Sequence, residues 1–218
     1  MTAKPYRLNT GGRLIDRSKK IHFSFDGKPM TGFAGDTVAS AVLANGQRVF
    51  GRSFKYHRPR GVIGLGSEEM NALVGVGDGA RHEPNLRATQ VELHDGLTAV
   101  SQNRWPSLNF DIGVINNKFS RFIPGGFYYK TFMWPKAFWK HVYEPFIRRA
   151  AGLGKAPEGR DPDTYENIHV HCDVLVIGGG VAGLAAAEAA SASGARVIIA
   201  DENPRFGGLA DISGGTID

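Results

Sequence analysis

Thiols are almost missing from this chain: its 218 residues include one cysteine, Cys172. A single thiol excludes an internal disulfide, and the same count argues against a cysteine cage for zinc or for an iron–sulfur cluster. No run approaches the ~18 apolar residues of a membrane-crossing helix. The opening Met1-Thr2-Ala3-Lys4-Pro5-Tyr6-Arg7 lacks the apolar stretch of a secretory signal. These absences predict a soluble, cytoplasmic protein with no membrane partner. Acidic residues are scarce in the front of the chain: residues 1–165 carry 24 Lys and Arg against 14 Asp and Glu, whereas 166–218 carry 2 against 7. The net charge of +5 is thus a basic front joined to an acidic back, which is poor support for a nucleic-acid partner.

What is present is ordinary except for glycine. Hydrophobic residues make up 42% and charged residues 22%, so collagen-like and wholly disordered classes are excluded, and the length allows one to two domains. The 29 glycines are roughly twice the average share of ~7%. They cluster in places that look like turns and a phosphate loop.

Three parts are expected, at 1–105, 106–165 and 166–218. In the first, Ile21-His22-Phe23-Ser24-Phe25 alternates as a half-buried strand, Asp26-Gly27 signals a hairpin, and Met30 to Phe33 supplies the return strand. Asp36 is the expected N-cap of a helix over Thr37 to Asn45, with Val38, Ala41, Val42 and Leu43 on its apolar face and Gly46 as its left-handed stop. A second hairpin is expected from Val91–His94 and Leu97–Val100 around Asp95-Gly96. Together these predict a mixed α/β, β-grasp-like unit.

The middle part has no clear period. From Phe119 to Phe146 it holds 11 of the chain's 22 aromatic residues, interleaved with Lys118, Arg121, Lys130, Lys136, Lys140, Arg148 and Arg149. Two readings lead, an arm packed on the chain's own domains or a protein interface built on aromatic and basic anchors, ahead of a membrane surface or single-stranded nucleic-acid stacking. Pro124, Pro135 and Pro145 interrupt any long amphipathic helix for a membrane surface. Gly152 to Asp163 reads as an exposed linker.

The third part carries the chemistry. Cys172-Asp173-Val174-Leu175-Val176-Ile177 is a short apolar run of the kind buried on both faces of a parallel sheet. It leads into Gly178-Gly179-Gly180-Val181-Ala182-Gly183, then an Ala-rich helix, then Ala195–Ala200 as a second strand ending at Asp201-Glu202. G-x-G-x-x-G between a strand and a helix is the dinucleotide fingerprint. Gly178 makes the tight turn, Gly180 clears space for a pyrophosphate, and Gly183 lets helix and strand pack closely. Free amides and the positive dipole end of the helix suit a diphosphate. Asp201 is placed to accept ribose hydroxyl protons and to repel a 2′-phosphate, which argues against NADP. NAD and FAD present the same ADP half, so the fingerprint does not separate them. Pro204-Arg205-Phe206-Gly207-Gly208 is either a plain loop or a return past the adenosine in which Gly207 and Gly208 allow close passage by the phosphates, and Arg205 and Gly208 are counted among the cofactor-binding candidates.

Other clusters carry less. Alternation puts His169 and His171 on one face and Cys172 on the other, so no metal site is expected. Glu68-Glu69 is read as a solvated turn. The basic segment Arg52, Lys55, His57, Arg58 and Arg60 is either a solvated loop or a contact for a flavin phosphate or a partner subunit. Nothing resembles a Ser/His/Asp set, and no catalytic residue is expected.

Four stretches carry a family resemblance: Arg52-Ser53-Phe54-Lys55-Tyr56-His57-Arg58-Pro59-Arg60-Gly61, Gly66-Ser67-Glu68-Glu69-Met70-Asn71-Ala72-Leu73, Gly126-Phe127-Tyr128-Tyr129-Lys130-Thr131-Phe132-Met133-Trp134-Pro135, and the fingerprint with Phe206-Gly207-Gly208. On these the chain resembles the N-terminal part of the alpha subunits of heterotetrameric sarcosine oxidases. The resemblance implies a ferredoxin-like β-grasp domain followed by the first βαβ of a Rossmann-type FAD/NAD(P)-binding domain, with NAD the ligand expected here and FAD second. It also implies FMN between alpha and beta subunits, and beta, gamma and delta subunits as partners. The family oxidatively demethylates sarcosine to glycine with hydrogen peroxide, passing the one-carbon unit to tetrahydrofolate. Relatives that form cyanide or oxidise opines place cysteines after the Arg-Pro-Arg-Gly stretch. Val62, Ile63, Gly64, Leu65 and Gly66 stand there instead, so the expectation is a β-grasp domain without an iron–sulfur cluster.

Two parallel strands and one helix fall short of a doubly wound domain, which needs three strands to bury a central one. The chain is therefore expected to be a truncated piece of a longer subunit, unstable or insoluble by itself. The alternatives are a non-catalytic assembly fragment and a subunit of a related amine oxidase.

Overall fold

A tight turn organises the first hairpin. In the computed structural model, strand β1 (Asp16–Phe25) runs antiparallel to β2 (Lys28–Ala34), with Phe25 opposite Lys28. Asp26 and Gly27 between them take φ of +50° and +73°, the pair of positive values that matches the twist of the two strands. The structure describes residues 6–123, 126, 132–152, 154–157, 159–203 and 205–213. Pro124, Phe127, Tyr128, Tyr129, Lys130, Thr131 and Pro204 lie outside them.

By internal contacts the chain forms two units, Met1–Asn9 with Asp16–Asp161, and Thr10–Ile15 with Pro162–Asp218. The first is built on a five-stranded sheet of order β2-β1-β7-β5-β6, with β5 at Leu73–Val76, β6 at Glu83–Arg87 and β7 at Thr98–Ser101. At its centre β7 runs parallel to β1, Ser24 facing Thr98. Its other edge pairs antiparallel with β5, Val74 facing Ser101. A short ribbon of β3 (Gly51–Arg52) and β4 (Pro59–Arg60) lies apart from this sheet.

The hairpin expected around Asp95-Gly96 does not form. Both edges of β7 are taken by β1 and β5, and the second hairpin of the sheet is β5–β6. Asp95 instead accepts the N–H of His22 at 2.8 Å, while Gly96 donates to the His22 carbonyl at 2.8 Å.

Helix α1 (Val38–Ala44) closes the core with Val38, Ala39, Ala41 and Val42 buried. Each fully buried Val stabilises the fold by about 1.5–3 kcal/mol. The N-cap is Thr37, not Asp36: Thr37 Oγ1 accepts the Ser40 N–H at 3.2 Å and Ser40 Oγ accepts the Thr37 N–H at 3.0 Å. Asp36 is drawn inward. Its carboxylate accepts two bonds from Arg7, at 3.1 and 2.6 Å, one from the Phe33 N–H at 2.9 Å and one from Ser40 Oγ at 2.6 Å. Gly46, at φ +86°, ends the helix. Below α1 the core gathers Phe23, Phe25, Phe50, Val74, Leu97 and Leu108, with Phe25 and Phe50 edge to face at 5.7 Å.

Glu69 also departs from expectation, since it is fully buried and not a solvated turn residue. Its Oε2 accepts the N–H groups of Ile63 and Gly64 at 2.7 and 2.8 Å, and Oε1 those of Asn71 and Ala72 at 2.7 and 3.0 Å. Burial opposes the charge, but the four amides outweigh it and hold the carboxyl below its ordinary pKa. Most of the basic segment is likewise engaged. Arg52 donates to the Leu108 and His57 carbonyls, His57 Nδ1 lies 2.7 Å from Asp111 Oδ2, and Arg58 Nε donates to Asn117 Oδ1 at 3.1 Å.

The middle stretch consists of short turns: α2 (Ile115–Lys118), a π-helical turn at Trp139–Tyr143 and α3 (Glu144–Ala151). Proline and aromatic bulk keep it from one long helix. Phe119, Phe122, Trp134, Phe138, Trp139 and Phe146 are exposed, Trp134 by 83%. Among the described residues no helix is long and apolar enough to cross a membrane.

In the second unit β8 (Val174–Ile177) pairs parallel with β9 (Val197–Ala200), and α4 (Val181–Ala192) connects them. The burial expected for β8 is not found: Leu175 and Ile177 are 55% and 76% exposed. Among the described residues this sheet has two strands, so an apolar strand sequence does not here mean a buried strand. A short helix, α5 (Leu209–Ser213), follows. Arg13 joins it by donating to the Asp211 carboxylate at 2.9 Å and to the Asp211 carbonyl oxygen.

Candidate functional site

The glycines between β8 and α4 build a loop with distinct tasks. Gly178 turns the chain at φ +100°, a value that strains any residue with a Cβ, while its N–H still donates to the Ala200 carbonyl at 2.8 Å. Gly180 is the N-cap of α4 and no side chain caps the helix. A Cβ on Gly180 would meet nothing within 4 Å, so the space in front of the helix is open. Gly183 is the reverse case: a Cβ there would lie 1.8 Å from the Gly178 carbonyl oxygen. Val181 and Ala182, in the first turn, are exposed. Their amides are those a helix leaves without internal partners, and with the dipole they favour an anion.

Gly179 occupies the position that the fingerprint leaves unspecified, yet here it is buried and clamped. Its N–H donates to Asp201 Oδ2 at 2.5 Å, and its carbonyl accepts the Gly207 N–H at 2.7 Å. A Cβ on Gly179 would come within 2.1 Å of the Phe206 ring. Gly207 and Gly208 lie in the left-handed region at φ +109° and +55°, and Gly208 passes so close to Gly180 that a Cβ on it would sit 3.5 Å from the Gly180 Cα. The loop after β9 therefore returns across the fingerprint loop.

Asp201 stands at the end of β9, half-buried. Its Oδ1 accepts the Asn203 N–H and the Asn203 Nδ2–H, both at 2.7 Å. The Gly179 amide first, then the Asn203 backbone and side chain, hold its carboxyl below the ordinary aspartate pKa. Of the residues singled out by sequence, Gly178, Gly179, Gly180, Gly183, Asp201 and Gly208 come together at this loop. Glu202 and Arg205 are exposed and take no part in the clamp. Asn203 is a member of the site that the fingerprint does not name. Its signal in the sequence is a short amide two residues after an aspartate, the spacing of an Asx turn.

The arrangement fits a dinucleotide: an uncapped helix start, open space at Gly180, and an ionised carboxylate at the second strand. Residues 173–218 match the model of a family described as an FAD binding domain, and residues 18–104 match one described as a 2Fe-2S iron-sulfur cluster binding domain. The second match corrects the expectation of a domain without an iron–sulfur cluster. That expectation rested on the absence of cysteines after the Arg-Pro-Arg-Gly stretch, whereas the match extends over residues 18–104. Thiolates are the usual ligands of such clusters, and the chain's one cysteine, Cys172, lies outside the matched stretch. The first match is to a family named for FAD, the ligand placed second to NAD in the sequence reading.

The chain is similar to the sarcosine oxidase alpha subunit of Rhizobium meliloti (strain 1021), with 59% identity over 213 residues, covering 98% of this chain and 22% of that protein. It is 38% identical over 225 residues to the corresponding subunit of Corynebacterium sp. (strain U-96), covering 99% of this chain and 18% of that one. A shorter stretch of 36 residues is 72% identical to part of an opine oxidase of Agrobacterium tumefaciens (strain Ach5), covering 16% of this chain and 7% of that protein. The chain thus spans about a fifth of the length of the sarcosine oxidase subunits that it matches.

Proposed function

We propose that this chain, homologous along its length to the N-terminal part of sarcosine oxidase alpha subunits, supplies the dinucleotide-binding portion of an oxidoreductase that works as a multi-subunit complex. The observation that carries the proposal is the open space at Gly180 before an uncapped helix, with a carboxylate held in its ionised form by the adjoining Gly179 amide. The ADP half of FAD or NAD would lie with its diphosphate on the amides of α4 and its ribose at Asp201. The isoalloxazine or nicotinamide of such a ligand would supply the redox chemistry. This chain's residues bind and orient the nucleotide, and none of them is assigned to the oxidation of an amine.

In the complete enzyme the proposed reaction is oxidative demethylation of sarcosine by O₂ to glycine and hydrogen peroxide, with the one-carbon unit transferred to tetrahydrofolate. The sheet order β2-β1-β7-β5-β6 with α1 on one face supports a ferredoxin-like β-grasp reading of the first unit. The proposed division of the chain is this domain to about residue 105, an arm to about 165, and the nucleotide unit beyond. Beta, gamma and delta subunits are the proposed partners. The exposed aromatic side chains of the arm, interleaved with Lys118, Arg121, Lys136 and Lys140, have the composition of protein interfaces.

The test is calorimetric titration of the chain with FAD, NAD and ADP-ribose, beside the Gly180→Val variant. Binding of ADP-ribose that the variant abolishes supports the proposal and ranks the two dinucleotides. Equal behaviour of the two proteins refutes it.

A further inference from the structure

The turn that follows β9 holds Asp201 more firmly than recognition of a ribose alone requires. Three N–H donors converge on its two oxygens: the Asn203 backbone and side chain on Oδ1, each at 2.7 Å, and the Gly179 backbone on Oδ2 at 2.5 Å. A carboxylate accepts about four hydrogen bonds. With Oδ1 doubly occupied, the acceptor position that remains is on Oδ2, the oxygen nearer the fingerprint loop. A carboxylate so held cannot swing away from a second negative charge.

We infer that Asn203 is a specificity-determining, positioning residue: it pins Asp201 in the orientation that accepts a ribose hydroxyl and turns away a nucleotide carrying a 2′-phosphate. The inference rests on the dinucleotide reading above and goes beyond it, because the fingerprint assigns a role to the acid and none to the residue two places on. The ligand class is an adenosine dinucleotide with free 2′ and 3′ hydroxyls. Glu202, exposed beside Asp201 in sequence, adds a second negative charge against a 2′-phosphate. Loss of the Asn203 amide therefore weakens the ribose contact and lowers the barrier to the phosphorylated ligand together.

Two ligands separate this role from a merely structural one. ADP-ribose and 2′-phospho-ADP-ribose are titrated against the 218-residue chain, its Asn203→Ala and Asn203→Ser variants, and Gly180→Val as the blank. The unaltered chain prefers ADP-ribose. Asn203→Ala narrows that preference about tenfold, the size of one hydrogen bond to a charged group. Asn203→Ser, whose hydroxyl can still donate to Asp201, keeps most of it. If both affinities fall by one factor in Asn203→Ala and their ratio stays fixed, Asn203 only shapes the turn and the inference is overturned. It is overturned as well if Asn203→Ala matches the unaltered chain, while the dinucleotide reading stands. If the unaltered chain binds neither ligand, like Gly180→Val, both fall together.

Discussion

The Phe206 ring covers Gly179 so closely that a single added methyl would meet its Cδ1 at 2.1 Å. The glycine in the unspecified place of the fingerprint is thus fixed by packing, with its peptide clamped between Asp201 and Gly207. Gly179→Ala is expected to destabilise the second unit by about 1–3 kcal/mol, as overpacking does. Phe206→Ala in the same chain should restore most of that loss. Thermal melts of the single and double variants check this, and a double variant no better than Gly179→Ala would place the strain elsewhere.

Gly180 and Gly183 should respond in opposite ways to the same methyl group. At Gly180 it enters open space, so melting falls only by the small preference of an N-cap for glycine over alanine, while affinity for ADP-ribose drops. At Gly183 it meets the Gly178 carbonyl at 1.8 Å, a backbone atom that cannot rotate aside, and the fold itself suffers. Melting temperature and affinity measured on both variants distinguish the outcomes.

Glu69 anchors the 63–72 loop through four amides. Glu69→Gln replaces one accepting oxygen by an NH₂ that faces two N–H donors, at a cost of about 1–3 kcal/mol for each donor left unsatisfied. The pH dependence has a definite sign. Because the folded carboxyl titrates below its ordinary value of 4.5, its contribution is fully present above the unfolded pKa and is lost as pH falls through the lower folded pKa. Denaturant titrations from neutral pH down to about pH 3, below the unfolded value, should show this acid-side loss for the parent chain and a flatter profile for Glu69→Gln.

Arg7 bonds both oxygens of the buried Asp36. Removing the guanidinium in Arg7→Ala strands a buried negative charge and should cost roughly 3 kcal/mol. The paired change Arg7→Ala with Asp36→Asn should cost less than Arg7→Ala alone. Urea melts of the two variants give the comparison.

Local chemistry is legible in the sequence, and distant partnership is not. Asp26-Gly27 announces its turn because both residues tolerate positive φ, and Gly46 announces the end of α1 for the same reason. Asp36 reads as a cap because the Arg7 that draws it inward lies 29 residues away. Leu97–Val100 reads as half of a local hairpin, although β7 pairs across the sheet with β1 and β5 and not with the segment before it. Glu69 looks like half of a solvated pair because backbone amides leave no mark in composition. At the fingerprint loop the backbone tasks of Gly178 and Gly183 follow from spacing alone. The Asn203 and Phe206 contacts depend on how the return loop crosses, which spacing does not encode. The ferredoxin-like character of the first part is legible, but its expected lack of a cluster rests on the single cysteine and is what the family match overturns.

The bond between Arg13 and Asp211 spans 198 positions and sets an order of events during synthesis. Thr10–Ile15 leave the ribosome long before Pro162–Asp218, the segment with which they form one unit. At about 5–20 residues per second Arg13 waits roughly 10–40 s for its partner. Strand β1 begins at Asp16 and finds β2 within a few residues of its own synthesis. The sheet of the first unit is thus free to form while the six residues ahead of it still await theirs, and the second unit gains this strap only once α5 has emerged.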